Sequence, residues 1–237
     1  MTEQSELAPG HHWQETDRVA EYLQRTDADE ARAIGFDLMT KLAPQDADAP
    51  VKILDIGSGQ GVVASWFLEA FPKGAAYGLD ISDAMMDEGR QRMARFGERF
   101  DYIAGDFGAG NLPAAVVEQG PYDLIVSARA IHHLAPEEIR HLYANVYGLL
   151  NTGGAFFNFD AAVPADPELK LLFRALRRGS GEQTRPQTDV RSLDQGETHS
   201  QDTTLANHLD YLASAGFDAV ECFYKHLANT IVGGYKR

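Results

Sequence analysis

The chain has 237 residues, 44% hydrophobic and 24% charged, an ordinary globular composition that excludes a fibre or a disordered chain and suits one α/β domain carrying insertions. Its 35 acidic and 21 basic residues leave a formal net charge of -14 with no dense Lys/Arg stripe, which argues against a nucleic-acid partner. No apolar run approaches the roughly 20 residues that span a bilayer, and Met1–Gly10 lacks the basic start and apolar core of a secretory signal, so the sequence argues against a membrane partner and the expected location is cytoplasmic.

In chain order, Glu3–Leu42 precedes the first strand, reads as helical from Asp29 onward, and carries Trp13 and Tyr22 in polar surroundings. Strands are then predicted at Val51–Ile56, Ala75–Asp80, Phe100–Ala104, Tyr122–Ser127 and Ala155–Phe159, with helices at Gly61–Phe71, Ser82–Phe96 and Pro136–Leu150 between them. Ser82 is the expected N-cap of the second helix, and Pro136 opens the third. This alternation is that of βαβ units on a parallel sheet. Ala161–Gln201 interrupts the pattern with a helix near Pro167–Arg178 and a polar loop, Gly179–Glu197. With Glu3–Leu42 it is expected to cap the carboxyl ends of the strands, where open α/β sheets bind ligands. A helix over Thr204–Ala215, stopped by Gly216, leads to strands Ala219–Tyr224 and Asn229–Val232, whose short connection requires an antiparallel pair. The lone Cys222 offers no disulfide and no cysteine zinc site, and reads as a small hydrophobe in a strand.

The chemistry gathers at the strand ends. Val51–Ile56 runs into Gly57-Ser58-Gly59-Gln60-Gly61 and then a helix, an arrangement whose glycines let a ligand approach the backbone closely. A dinucleotide fingerprint calls for a third glycine at 62, where this chain has Val62. Asp55, two residues before the bend, would repel a pyrophosphate but suits a ligand bearing an ammonium and a sulfonium, which favours S-adenosylmethionine over NAD. Asp80 closes the second strand, where it can accept from ribose hydroxyls. Gly105-Asp106-Phe107 follows the third, with Asp106 able to accept from an adenine amine and Phe107 or Ile81 able to touch the ring. After the fourth strand, His132 and His133 stand where a methyl acceptor would lie, and either can remove a proton or simply pack. Adjacent histidines with no acid-rich motif nearby argue against a metal. Trp13 and Tyr22 could close over the acceptor. Tyr224 is a third candidate contact, although strand alternation would send it opposite to Phe223 and Lys225.

With LDIGSGQG, YGLD, AGDF, DLIVSARAIHHL and LLNTGGAFFNFD in succession, the chain resembles the class I S-adenosylmethionine-dependent methyltransferases over about residues 50–160. The resemblance implies a doubly wound, Rossmann-like α/β fold with a seven-stranded sheet of order 3-2-1-4-5-7-6, one strand antiparallel. It also implies a small-molecule acceptor and release of S-adenosyl-L-homocysteine. Asp55, Gly57, Gly59 and Gly61 would border the methionine part, Asp80 the ribose and Asp106 the adenine, and Ser58, Ile81, Gly105, Phe107 and Ser127 would also belong to the cofactor site. By the same resemblance His133 is preferred over His132 as a base, and a homodimer is an admissible assembly. The competing reading is an S-adenosylmethionine-binding enzyme with a non-methylating outcome.

Overall fold

A computed structural model describes residues 30–178 and 203–237. Its elements are α1 (Glu30–Leu42), β1 (Lys52–Ile56), α2 (Val62–Ala70), β2 (Ala75–Asp80), α3 (Asp83–Met93), β3 (Phe100–Ala104), α4 (Ala114–Gln119), β4 (Tyr122–Ala128), α5 (Pro136–Leu149), β5 (Leu150–Ala161), α6 (Pro167–Arg178), α7 (Leu205–Ala215), β6 (Asp218–His226) and β7 (Asn229–Lys236). The strands make one seven-stranded sheet in the order β3-β2-β1-β4-β5-β7-β6. Pairing is parallel from β3 through to β5, and β7 is antiparallel to both β5 and β6. The order and the single reversed strand are those expected.

Parallel strands covered on both faces must be apolar on both, and successive residues divide accordingly. Ile53, Val126 and Phe157 face α1, α2 and the end of α3, where Phe36, Met39, Phe67 and Met93 are buried. Leu54, Ile125 and Phe156 face α4, α5 and α7, which supply Val116, Leu142, Tyr143 and Leu212. The helix ends are set by local chemistry. Ser82 Oγ accepts from the Met85 N–H at 3.3 Å, Pro136 occupies the first turn of α5, and Gly216 ends α7 at φ 106°.

Several boundaries differ from the sequence reading. The helix opened by Ser82 stops at Met93, and the chain continues as a 3-10 segment, Ala94–Arg99, bent at Gly97. β5 starts at Leu150 rather than Ala155, with a register shift between Tyr122 and Leu124 on its partner. β7 passes beyond Val232 through Gly233 and Gly234. A Cβ at 233 would lie 2.2 Å from the Phe156 carbonyl oxygen, so glycine there marks a close approach of strands rather than a strand end. The short helix α4, between Pro113 and Gly120, went unanticipated.

The described part of the expected N-terminal cap, α1, is built into the helical layer. The Phe36 ring meets Trp66 and Phe159 edge-on, and Tyr235 donates to the Leu42 carbonyl at 3.1 Å. α6 occupies the range expected of the second insertion. Trp13, Tyr22 and the loop Gly179–Glu197 lie outside the described residues. The alternation expected around Tyr224 does not hold. A bulge between Cys222 and Tyr224 in the β6–β7 register lets Phe223 and Tyr224 pack against the same core, Phe223 on Phe157 and Tyr224 on Phe159.

Candidate functional site

At the carboxyl end of β1 the chain makes its bend with Gly57, Gly59 and Gly61 at φ 69°, 53° and 74°, the left-handed region that glycine enters without penalty. A Cβ at 57 would also stand 2.2 Å from that of Ala130, so the first glycine lets the loop after β4 close on the bend. Gly57 and Ser58 N–H both donate to the Leu79 carbonyl, at 2.8 and 3.0 Å, pinning the bend to β2. Asp80 continues the same work: Oδ2 accepts from Gly59 N–H at 2.7 Å and Oδ1 from Ser82 N–H at 2.9 Å. Burial pushes its carboxyl up, against those backbone donors. Each oxygen keeps a lone pair for a ligand hydroxyl. The Tyr102 hydroxyl supports the bend from β3 by donating to the Gly59 carbonyl at 3.0 Å. Burial first, then the charges of Asp55 and Asp80, push that hydroxyl up, so it stays a donor. The sequence reading missed Tyr102, since an aromatic in a strand carries no sign of what its hydroxyl reaches.

Asp55, near the end of β1, is completely buried against the first turn of α2, where Oδ2 accepts from the Ala64 N–H at 3.1 Å. Its Oδ1 has no hydrogen-bond partner among the described residues, and neither has the buried Ser58 Oγ. Desolvation raises the Asp55 carboxyl to about 7, with the Ala64 N–H opposing and the Asp80 charge adding to the rise. A buried carboxylate short of a partner calls for a cation or a donor, and the ammonium and sulfonium of S-adenosylmethionine fit that demand.

The remaining residues expected at this rim are placed with less constraint. Asp106 is exposed, and its Oδ1 accepts from Gly108 N–H at 2.7 Å; Ile81 and Phe107 are half-buried. Phe107 Cε1 would lie 3.6 Å from a Cβ at 57, which sets the ring beside the bend, and Gly105 lies under Pro113. Ser127 is fully buried, and its hydroxyl donates to the Ile56 carbonyl at 2.7 Å, so it ties β4 to β1.

On the other side of the bend the two histidines form a 3-10 turn, Ile131–His133. Their rings lie 4.1 Å apart, and His132 meets a carboxylate: Nδ1 is 2.6 Å from Asp160 Oδ1, and its backbone N–H donates to Oδ2 at 2.9 Å. Asp160 is buried at the end of β5, and Ala161 N–H donates to its Oδ1 as well. Burial works against the Asp160 charge, yet the His132 imidazole, the Arg129 guanidinium and Ala161 N–H together hold the carboxyl well below the usual range. The sequence singled out the histidine pair but not Asp160, because the 28 residues separating the partners hide their contact.

A further buried chain runs beneath. Asn158 Nδ2 donates to the Tyr143 hydroxyl at 3.3 Å, and that hydroxyl lies 2.7 Å from His208 Nδ1. Burial lowers His208 to about 4 despite the Asp160 charge, so the ring is neutral at physiological pH. Among the described residues, no group of three or more His, Cys, Asp or Glu could hold a metal, and no helix is long and apolar enough to cross a membrane.

Comparison with known proteins places this geometry. Residues 53–154 match a family described as "Methyltransferase domain". A ubiquinone/menaquinone biosynthesis C-methyltransferase of Cereibacter sphaeroides is 29% identical over 138 residues, covering 57% of this chain and 51% of the relative. A malonyl-[acyl-carrier protein] O-methyltransferase of Geobacter sulfurreducens is 27% identical over 174 residues, 73% of this chain and 58% of the relative. The chain thus spans about half the length of the curated relatives it matches. Among solved structures, human N-acetylserotonin methyltransferase in complex with SAM superposes with TM-score 0.63 at 19% identity, over 99% of this chain and 60% of the other. PigF with SAH gives 0.62 at 23%, over 94% and 60%. At such identities the likeness is one of fold.

Proposed function

We propose, from the premise that this chain belongs to the class I S-adenosylmethionine-dependent methyltransferases, that it transfers a methyl group to an oxygen, nitrogen or carbon nucleophile of a small molecule. The observation that carries the reading is Asp55 Oδ1, buried without a partner beside a bend of left-handed glycines. S-adenosylmethionine supplies the methyl group on a cationic sulfur that is already a strong electrophile. Asp55 and Ser58 would hold its methionine end, Asp80 its ribose, and Asp106 its adenine amine, with Ile81 and Phe107 against the ring. Transfer then asks mainly for alignment of the acceptor.

Where the acceptor must lose a proton, His132 is the base we assign, in preference to His133. The Asp160 carboxylate stands 2.6 Å from Nδ1, a placement that would orient the ring with Nε2 toward the acceptor and favour the imidazolium formed there. The His133 ring is tilted against that of His132, 4.1 Å away.

Calorimetry with S-adenosylmethionine, S-adenosylhomocysteine and NAD tests the binding half. The first two should bind and NAD should not, and Asp80→Ala should weaken binding by about 1.5–3 kcal/mol, the worth of hydrogen bonds to a charged group. Full affinity in Asp80→Ala removes the ribose assignment, and NAD binding removes the whole reading. Turnover should release S-adenosylhomocysteine together with a methylated compound, which separates transfer from a non-methylating outcome.

A further inference from the structure

Arg129 follows directly on β4 with its backbone at φ 58°, a conformation that disfavours any residue with a Cβ and strongly favours glycine. Its N–H donates to the Phe159 carbonyl at 3.0 Å, which locks the chain in that state. The half-buried side chain reaches across to the start of β7, where Nη1 donates to Asn229 Oδ1 at 3.3 Å. A guanidinium has five N–H donors in a rigid planar fork. Among the described residues this long bond is the one hydrogen bond of its side chain, whose charge also helps hold the Asp160 carboxyl down. Asp160, the nearby anion, is already occupied by His132 N–H, His132 Nδ1 and Ala161 N–H.

A strained backbone, retained where glycine would relax it, is a reason to look for function. What it holds in place here is a fork with spare donors, in a chain of net charge -14, at the ligand edge of the sheet. Such a fork matches a carboxylate, which it can grip through two parallel hydrogen bonds. We infer that Arg129 receives a carboxylate of the methyl acceptor, making the acceptor a small organic acid. This rests on the methyltransferase reading of the site. The methionine carboxylate of the cofactor has the same chemistry. However, the fork reaches Asn229 at the start of β7, and β7 lies three places along the sheet from β1, whose end carries the glycine bend.

The test uses protein saturated with S-adenosylhomocysteine and ligand-observed NMR titrations with benzoate, 4-hydroxybenzoate and hexanoate, each beside its neutral amide. At least one carboxylate should bind the unaltered protein tenfold or more tighter than its amide. Arg129→Gln should lose about 10–100-fold of that affinity while amide binding holds, and Arg129→Lys, which keeps the charge but not the fork, should fall between. Unchanged thermal unfolding of Arg129→Gln shows that the loss is local. The proposal is overturned if no carboxylate outbinds its amide, or if Arg129→Gln binds carboxylates as well as the unaltered protein. It is equally overturned if the variant loses affinity for S-adenosylhomocysteine but not for methylthioadenosine, since the carboxylate received would then be the cofactor's. Failure of the unaltered protein to bind S-adenosylhomocysteine at all would strike the methyltransferase reading instead.

Discussion

The two halves of the ligand edge are made of different material. At the ends of β1 to β3 the contacts join carboxylates to main-chain N–H groups, with Asp80 on Gly59 and Ser82 and Asp55 on Ala64. At the ends of β4, β5 and β7 side chains also meet side chains, His132 at Asp160 and Arg129 at Asn229, beside the main-chain N–H groups of His132 and Ala161 that donate to Asp160. The first half depends on a backbone path that few residues but glycine can follow. In the second, partners can be exchanged without moving a strand. On the proposed function, the backbone-built rim holds the cofactor and the side chains beyond it meet the acceptor.

The strongest test of that division is Asp160→Asn. The amide keeps the shape but removes the charge that orients His132, so turnover of an acceptor that must be deprotonated should fall by about 10²–10⁴-fold. Affinity for S-adenosylhomocysteine should stay within about twofold, as Asp160 contributes only to the side-chain half. If calorimetry shows both falling together, the halves are one unit and the comparison fails.

The converse change is Gly57→Ala. Its methyl group would meet the Ala130 side chain while the backbone is held at positive φ, and overpacking and strain together should cost about 2–4 kcal/mol. Urea unfolding measures that loss. S-adenosylhomocysteine binding should fall with it, since the bend would have to open to admit the methyl group.

The same contrast decides what could be read from the sequence. The bend, Asp55 and Asp80 are legible because strand, glycines and helix follow one another within a few residues, and the antiparallel pair because its connection is short, whereas the sheet order rests on the family resemblance. Asp160 falls one residue past the predicted strand Ala155–Phe159, where nothing in the sequence marks its partner, and Tyr143 and His208, 65 residues apart, lie in two separate predicted helices. The aromatic pattern misled at Tyr224, because a bulge changes the face of a residue without leaving a mark in composition. The predicted strand Asn229–Val232 ends short of Gly233, where glycine permits a close approach inside the strand. What escaped was whatever depends on a partner distant in the chain.

A smaller effect, and the finest probe of the cofactor half, is the pH dependence of binding through Asp55. Burial raises its carboxyl to about 7 against an ordinary 3.8, so the folded ligand-free protein holds this proton more tightly than the unfolded chain. The contribution to stability is therefore full at pH below 4 and is lost as pH climbs toward 7. A cationic ligand has the opposite preference, since the ammonium shared by S-adenosylmethionine and its product favours the ionised carboxylate. Affinity for S-adenosylhomocysteine should then drop by up to about tenfold per unit below pH 7 and level off above it. Calorimetry in buffers of different ionisation enthalpy should count about one proton released on binding near pH 6. Asp55→Asn should bind more weakly at pH 8, with a flat profile and no released proton. His208, held near 4 in the other half, has no proton to give over that range and should leave the profile untouched when replaced by Gln. A slope that survives in Asp55→Asn would move the titrating group away from the bend and leave the buried carboxylate without its assigned partner.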